Sequence, residues 1–386
     1  MPPPMNLLQT IVMGLIQIVA VLIVVFIMVP LLTFAERKVI GYAQVRLGAT
    51  RTASGTRGFT ASLNRGMWAM GKVPVLSFFR GLPVFVADAV KLITKEDIIP
   101  AKADRAVFTL APILSVVAAF GVFSAIAYYP GVMFYMPKSW PLIGGLPFNG
   151  AIADVNVGLL FILGLASVGV YGIVLGAWAS NSKYPLLGGL RSAAQIVSYE
   201  VPLTLSLLPA VILAGTLNFK DMSVILSTGQ GMSPLAVIPL FIGFFIYLTC
   251  GFAETNRVPF DLPEAETELV AGFHTEYSGM KFGFFYLAEY ANMIVVSCLA
   301  TAFFFGGYYL LPFGLQRIIP ASIPFLGHPS FLFFMAKVSL LLFVFIWVRA
   351  TLPRYRYDQL MDVGWKYLIP LSLVNLFIAA VIRYAF

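Results

Sequence analysis

Carboxylates crowd into one short stretch, GFAETNRVPFDLPEAETELVAGFHTEYSGM, between Gly251 and Met280. The whole chain of 386 residues has only 17 Asp and Glu. The stretch contains a single arginine, Arg257, and its acids are Glu254, Asp261, Glu264, Glu266, Glu268 and Glu276. Burial and like charge both oppose ionisation, so crowded carboxyl groups in a poorly solvated place can exchange protons near neutral pH. The pattern predicts a path for protons, or an acidic lining whose charge responds to nearby events.

An ordinary helix start is the alternative interpretation of these acids. A helix from about Pro263 would place Glu264 and Glu268 roughly 40° apart on one face, with Glu266 nearly opposite. Acids in a first turn are stabilised by the helix dipole, and Pro suits that position. Solvent-facing acids of this kind would have no further role.

Two more acids lie inside apolar runs and favour the functional interpretation. Glu200 occurs in SYEVPLTL, and Glu289 occurs in FYLAEYANMI. A carboxylate at membrane depth is costly unless it is protonated, paired or hydrated, so such a residue is by default a functional candidate. The acidic stretch is itself rich in apolar residues, which is unlike a solvated loop.

The elements that must position these acids are membrane helices. The chain is 60% hydrophobic and 11% charged, with a mean hydropathy of +0.90, and cannot cover itself with a polar surface. Apolar runs reach the roughly 20 residues that cross a bilayer as a helix. We predict an all-α, polytopic membrane protein with eight transmembrane helices. They cover approximately 6–33, 106–129, 154–179, 200–217, 235–253, 283–311, 330–352 and 367–385.

The basic residues predict the orientation of this bundle. The segments 34–105, 180–199, 254–282 and 349–366 alternate onto one side and hold 20 of the 25 Lys and Arg. Cytoplasmic loops carry the excess of cations, so this side is the inner one and both termini lie on the outer, periplasmic side. The N-terminus has no cation before its apolar run, so no cleaved signal peptide is expected.

We expect one integral membrane domain over residues 1–386, with two inner regions, 34–105 and 254–282, large enough to form a site. Within the first, Ala89, Leu92 and Ile93 continue an apolar helical face that begins at Phe85, and Asp88, Lys91 and Lys95 share the other face. This pattern predicts a short amphipathic helix along the membrane interface. A simple surface anchor is the alternative.

Several site chemistries are excluded by composition. The two cysteines, Cys250 and Cys298, and the two histidines, His274 and His328, are scattered, so we expect no metal or iron–sulfur site and no catalytic residue. No phosphate-binding glycine pattern of the dinucleotide or Walker type is present. The net charge of +8 reflects the inner-side loops, so no nucleic-acid partner is expected.

Four long motifs resemble one known family. AERKVIGYAQVRLG, ADAVKLITKE, WASNSKYPLLGGLRSAAQIVSYEVP and the acidic stretch, in this order, resemble the H chain of proton-pumping NADH:quinone oxidoreductase, respiratory complex I, called subunit one in mitochondria. The resemblance implies a membrane subunit that forms the quinone-access tunnel and couples quinone reduction to proton translocation. It implies quinone as a bound substrate and no prosthetic group in this chain.

The resemblance also implies roles for single residues. The quinone tunnel would be lined by Glu36, Arg37, Arg46, Asp88, Lys91, Phe252 and Arg257. The proton path would comprise Glu200, Glu254, Asp261, Glu264, Glu266, Glu268, Glu276 and Glu289, with Tyr199 and Arg191 near it. The partners would be the quinone-site and iron–sulfur subunits of the hydrophilic arm, small neighbouring membrane subunits and lipids. The location would be the bacterial inner membrane, or the mitochondrial inner membrane if the chain is organellar.

One segment departs from the family pattern. Ala49 stands where the family has proline, and roughly twenty residues intervene before Gly81. We expect this insert, around 50–80, to lie on the inner leaflet or to contact a neighbouring subunit.

Two other functions stay open from sequence. A related chain of membrane-bound hydrogenases or ferredoxin-linked complexes shares the ancestry but need not use quinone. A free-standing proton or cation transporter would be expected to show paired repeats, and we find none.

Overall fold

A computed structural model of the chain describes residues 6–46, 48, 84–139, 144–263, 266–314 and 327–385. Only the backbone is described for Phe85, Glu266 and Thr267. The insert around 50–80 and Glu264 therefore lie outside the described residues, and the expectations for them stay predictions.

Within those ranges, eight helices are long and apolar enough to cross a membrane, as predicted. We number these spans in chain order: Leu7–Ala43, Arg105–Val122, Gly158–Ala179, Lys183–Ala214, Pro234–Glu254, Gly279–Phe304, Phe331–Thr351 and Tyr357–Ala385. The fifth begins with a 3₁₀ turn, Pro234–Ala236, before the α-helix Val237–Glu254. The eighth comprises Tyr357–Asp362, a π-helical turn Val363–Leu368 and Ile369–Ala385.

Short elements connect the spans. Helix Val84–Thr94 precedes the second span, and helix Phe219–Thr228 follows the fourth. Strands Val132–Tyr135 and Pro147–Asn149 form an antiparallel hairpin after the second span. A four-residue helix, Glu266–Leu269, and a 3₁₀ turn, Gly272–His274, lie between the fifth and sixth spans.

The sixth span is the centre of the bundle. Of its most apolar window, 83% of the residues are buried, against 17% in the first span and 22% in the third and eighth. It contacts the first, second, fifth and seventh spans, while the fourth span packs against the third, fifth and eighth. A side chain on the sixth span is therefore surrounded by protein, whereas the first span leaves much of its surface to lipid.

Several predicted span ends were wrong: the second and sixth spans end at Val122 and Phe304 instead of near 129 and 311, and the eighth begins at Tyr357 instead of near 367. Two further differences concern predicted site residues. The first span continues to Ala43, so Glu36, Arg37 and Lys38 lie on its helix and not in a loop. The fourth span begins at Lys183, so Arg191 and Tyr199 are helical as well. Hydropathy falls in both segments, but the helices continue because polar side chains such as Glu36 and Gln195 are buried against polar partners inside the protein.

The predicted amphipathic helix is present as Val84–Thr94 and packs against the first and sixth spans. The backbone that follows it is tied to the start of the sixth span: Ser278 accepts from the amide of Ile98 and donates to the carbonyl of Glu96, at 3.1 and 3.0 Å. Ile93, on the predicted apolar face, is 66% exposed. The helix therefore lies against the first and sixth spans and leaves part of its predicted apolar face exposed.

Close packing of the second and third spans depends on small residues, as is common between membrane helices. A Cβ atom on Gly172 would lie 2.8 Å from the carbonyl oxygen of Ala111 and 2.0 Å from the Ser115 hydroxyl. Gly164, two turns earlier on the same helix, has nothing within 4 Å of its Cβ position.

We therefore expect Gly172→Ala to destabilise the protein by about 1–3 kcal/mol, since the added methyl meets backbone that cannot move aside. The measurement is thermal unfolding of the purified complex in mild detergent. Gly164→Ala is the matched control and should leave the transition unchanged. Equal behaviour of the two variants would contradict this description of the interface.

Candidate functional site

A buried carboxylate, Glu36, brings four distant parts of the chain together. Its two oxygens lie 3.2 Å from Nη1 of Arg257, and the Tyr290 hydroxyl donates to Oε2 at 2.5 Å. Arg349, at the end of the seventh span, donates to the same carboxylate. The Glu36 side chain is 7% exposed. Burying such a charge is costly unless it is paired and hydrogen-bonded, and here it is both.

Arg257 connects Glu36 to a second acid. Its Nε lies 2.7 Å from Oε1 of Glu289, and its guanidinium stands 4.2 Å from the centre of the Tyr290 ring. Burial works against the charge of this group, but Glu289, Tyr290 and Tyr286 outweigh it and hold the pKa of Arg257 above its usual range. Arg257 therefore stays cationic and joins two carboxylates from different spans.

Backbone geometry positions Arg257 at the end of the fifth span. The helix ends at Glu254, and Asn256 takes a left-handed conformation, with φ of 49°, that Asn tolerates better than most residues. Gln195 of the fourth span, 1% exposed, donates to the carbonyls of Ala253 and Phe260 at 2.8 and 2.9 Å. This side chain holds both sides of the turn that carries the arginine.

Glu289 also faces a cavity between the spans. Glu200 and Glu254 line the same cavity, together with Asn256, His274, Tyr286 and Asn292. The space open to the centre of a water molecule is about 50 Å³, and one water requires roughly 10–15 Å³. The cavity therefore has room for a few waters, and three carboxyl-bearing residues line it.

The acids of this cavity have different partners. Glu200 accepts a hydrogen bond from Ser167 of the third span. Glu289 is paired with Arg257. Among the described residues, no cation forms an ion pair with Glu254. Glu200 forms no ion pair with a described residue either, so both acids lack a fixed neutralising charge, and Glu254 also lacks the hydrogen bond that Glu200 accepts from Ser167.

Five further predicted residues form ion pairs nearer the surface. Arg191 and Glu268 lie 2.6 Å apart, and Arg354 and Asp261 lie 3.0 Å apart. Arg37 and Asp88 lie 2.6 Å apart with exposed fractions of 51% and 39%. Two acids of the stretch, Asp261 and Glu268, are therefore paired with cations from other elements, which counting the single arginine of the stretch could not indicate.

The other predicted site residues that the structure describes form no ion pair with the buried cluster, although the carbonyl of Phe252 accepts from the amide of Arg257 at 3.1 Å. Tyr199 is fully buried, and its hydroxyl donates to the carbonyl of Leu360 at 2.8 Å. Phe252 packs on Phe345, with ring centres 4.1 Å apart. Arg46 and Lys91 are exposed, and Glu276 is partly buried. For Glu266 the structure gives a backbone position in the short helix Glu266–Leu269.

Sequence reasoning missed Tyr290, Arg349 and Gln195. Tyr286, Glu289 and Tyr290 follow the helical spacing of three and four residues that places side chains on one face, so this face could have been read from sequence. Arg349 was visible only as a cation at a helix end. Its partner is 313 residues away in the chain, and no local pattern predicts that contact.

With this geometry in view, comparison with known proteins decides the family. Residues 16–380 match the family model described as NADH dehydrogenase. The chain belongs to the NADH dehydrogenase family. The resemblance to the H chain of NADH:quinone oxidoreductase that the sequence motifs predict is confirmed.

Curated relatives agree over nearly the whole chain. The second H subunit of NADH-quinone oxidoreductase from Koribacter versatilis is 42% identical, with 95% of this chain and 96% of the relative covered. The H subunit of the same enzyme from Magnetococcus marinus is 43% identical (96% and 91% covered), and that from Rickettsia typhi is 44% identical (92% and 89% covered). The relatives are subunits of an enzyme complex, and this chain, as a family member, is one as well.

Removing the central cation should be costly. Arg257→Gln leaves Glu36 and Glu289 buried without their shared partner, and breaking a buried ion pair in this way costs about 3–5 kcal/mol. We expect a lower unfolding temperature and less assembled complex, measured by thermal unfolding and native gel analysis.

The control is Lys366→Gln, which breaks an exposed pair with Asp362 whose side chains are 67% and 54% exposed. Exposed pairs contribute less than about 1 kcal/mol, so this variant should resemble the unmodified protein. Comparable losses in both variants would mean that the buried cluster has no special structural role.

Proposed function

We propose that this chain is the membrane subunit of a proton-pumping NADH:quinone oxidoreductase that encloses the quinone path and couples quinone reduction to proton translocation. The observation that supports the proposal most directly is the continuous contact from Glu36 through Arg257 to Glu289 and the cavity of Glu200 and Glu254. The curated relatives are named NADH-quinone oxidoreductase subunits, and from these names we take quinone as the substrate and NADH as the electron donor.

Charge is the means of coupling in this proposal. Reducing a quinone to a quinol takes up two electrons and two protons, and electrons arrive from partner subunits. In a poorly solvated interior, a new charge several ångströms away acts far more strongly than in water. Arg257 is paired with both Glu36 and Glu289. A change of charge beside Glu36 would therefore alter how strongly Arg257 stabilises the ionised form of Glu289. The protonation of the other cavity acids would change in turn.

The cavity provides the route in this proposal. Its waters and carboxyl groups can relay a proton between Glu289, Glu254 and Glu200, since each is in contact with the same enclosed space. Neither Glu254 nor Glu200 has a paired cation among the described residues, and Glu254 also lacks a hydrogen bond like the one that Glu200 accepts from Ser167, so the protonation of Glu254 would respond most to its neighbours. From there the proton would pass to neighbouring membrane subunits.

The quinone entrance is proposed near the amphipathic helix. Arg37 and Asp88 form an exposed ion pair between the first span and helix Val84–Thr94, beside the buried cluster that begins one residue earlier at Glu36. The chain would work in the bacterial inner membrane, or its mitochondrial equivalent, next to the quinone-site and iron–sulfur subunits and the small membrane subunits.

The proton route is tested by Glu254→Gln. We expect quinone reduction coupled to pumping to fall by about tenfold, the effect of roughly 1.4 kcal/mol on a barrier. Electron transfer from NADH to a water-soluble artificial acceptor should be unchanged, because that reaction needs only the partner subunits. Both rates are measured in the same reconstituted vesicles.

Glu268→Gln is the matched control, because Glu268 is half exposed and paired with Arg191 at the edge of the site. It should reduce coupled activity much less than Glu254→Gln. Equal losses with both electron acceptors would indicate failed assembly, and an unchanged coupled rate in Glu254→Gln would contradict the proposed route.

The proposed entrance is tested by exchanging charges. Arg37→Asp places two acids together at the mouth and should raise the apparent KM for a short-chain quinone several-fold, with little loss of stability since the pair is exposed. Combining it with Asp88→Arg restores the pair and should restore KM. A single variant with normal KM would place the entrance elsewhere.

A further inference from the structure

A basic side chain lines the cavity that also contains the acids. His274 ends the 3₁₀ turn Gly272–His274, in the connection between the fifth and sixth spans. Among the described residues that line this cavity, it is the one with a basic side chain. Imidazole is the side-chain group whose ordinary change of charge falls between pH 5 and 8, and it commonly carries protons in proteins. The proton route proposed above does not use it.

Close packing fixes the turn that carries His274. A Cβ atom on Gly188 of the fourth span would lie 2.7 Å from the amide nitrogen of Phe273, so the backbone of the turn contacts the helix where a glycine leaves room. The carbonyl of His274 accepts from the amide of Tyr277 at 3.0 Å. Phe282 of the sixth span meets the imidazole at right angles, with ring centres 5.2 Å apart. Neighbouring groups therefore hold both the backbone and the ring of His274.

His274 differs from the cavity acids in its place along the chain. The other titratable residues that line the cavity belong to membrane spans: Glu200, Glu254, Tyr286 and Glu289. His274 lies outside the spans and is partly exposed. Val270, four residues earlier, is 59% exposed, and Met280, six residues later, is 43% exposed. The imidazole is therefore placed between the cavity acids and an exposed connection.

The charged groups around His274 come from several elements. Glu200, Glu254 and Glu289, on three different spans, share the cavity with it, while the third span contributes Ser167 and no titratable group to the lining. The nearby cations of the adjoining segments are paired with other acids: Arg191 with Glu268, and Lys281 with Asp97 at 2.9 Å. Glu276 follows on the same connection. A proton that leaves His274 therefore finds carboxyl groups on three spans.

The entrance beside His274 is apolar. Phe273 and Phe282 line the cavity next to it, with ring centres 4.9 and 5.2 Å from the imidazole. Waters between such rings would have few polar partners. A titratable group at this point can carry a proton where a row of waters would be poorly held.

We propose that His274 transfers protons between the aqueous phase at the fifth-to-sixth connection, predicted to be the inner side, and the acids of the cavity. The neutral imidazole binds a proton on one ring nitrogen and releases the proton of the other nitrogen to a cavity water or carboxylate. Turning of the ring then restores the first tautomer. This inference rests on the function proposed above and assigns the group that supplies its protons.

His274→Ala tests the proposal in the complete complex in vesicles. We expect coupled quinone reduction to fall by about tenfold near pH 8 and by less near pH 6, because direct transfer from water slows as the proton concentration falls. Imidazole added to the buffer should restore much of the rate, since the shortened side chain leaves room for it. Electron transfer from NADH to the water-soluble acceptor should be unchanged.

Two further variants separate proton transfer from packing. His274→Phe keeps an aromatic ring against Phe282 but binds no proton and fills the space. It should show the same dependence on pH without rescue by imidazole. His328→Ala is the matched control, because His328 is the other histidine of the chain and lies exposed at the opposite end of the sixth span. It should retain the normal rate at every pH.

Two results would overturn the proposal. One is normal coupled activity of His274→Phe across the pH range, which also decides the matter if the alanine variant fails to assemble. The other is a loss in His274→Ala that is equal at every pH and that imidazole does not reverse. If the proposed function itself is wrong, Glu254→Gln will also keep its coupled rate. A slow Glu254→Gln beside normal His274 variants would refute only the role of His274.

Discussion

The structure depends on one buried guanidinium held between two carboxylates. Arg257 lies within 3.2 Å of Glu36 and 2.7 Å of Glu289, and its side chain is only 6% exposed. Each of these charges would be prohibitively costly alone at this depth, so the first span, the fifth-to-sixth connection and the sixth span must meet here. Arg349 adds a fourth charge and brings in the seventh span.

This constraint explains why the first and fourth spans are longer than the apolar runs from which they were predicted. A lipid-facing helix would end where charges begin, but Glu36 finds its partners inside the protein and the first helix continues past it. In the fourth span, Gln195 reaches across to the turn before Arg257 and keeps a polar segment helical. Polar groups at the inner edge of the bundle therefore act as cross-links between spans.

The same arrangement suits a coupling device. Paired charges in a poorly solvated place respond strongly to a change nearby, and the adjacent cavity contains acids with unequal neutralisation. Glu289 is paired with Arg257 and also lines the cavity. It is therefore the group through which a change at the buried charges can reach the cavity acids. The surface pairs, such as Arg191 with Glu268, fix the edge of this region without being enclosed by it.

Composition and periodicity predicted the eight spans and the amphipathic helix. They could not predict the buried cluster, because the contacts of Glu36 join residues 221 to 313 positions apart. Tyr290 was next to a predicted acid, yet its role depends on a residue of the first span. Glu254 and Glu268 read alike in sequence, and only packing separates the cavity acid from the exposed one.

Infrared difference spectroscopy tests the coupling most directly, by comparing the complex before and after its bound quinone is reduced. Protonation of a carboxylate produces a carbonyl band of its own. We expect such a band to change on quinone reduction, and part of that change to disappear in Glu254→Gln. A spectrum without any carboxyl change, or one that the substitution leaves intact, would show that these acids do not respond to the quinone.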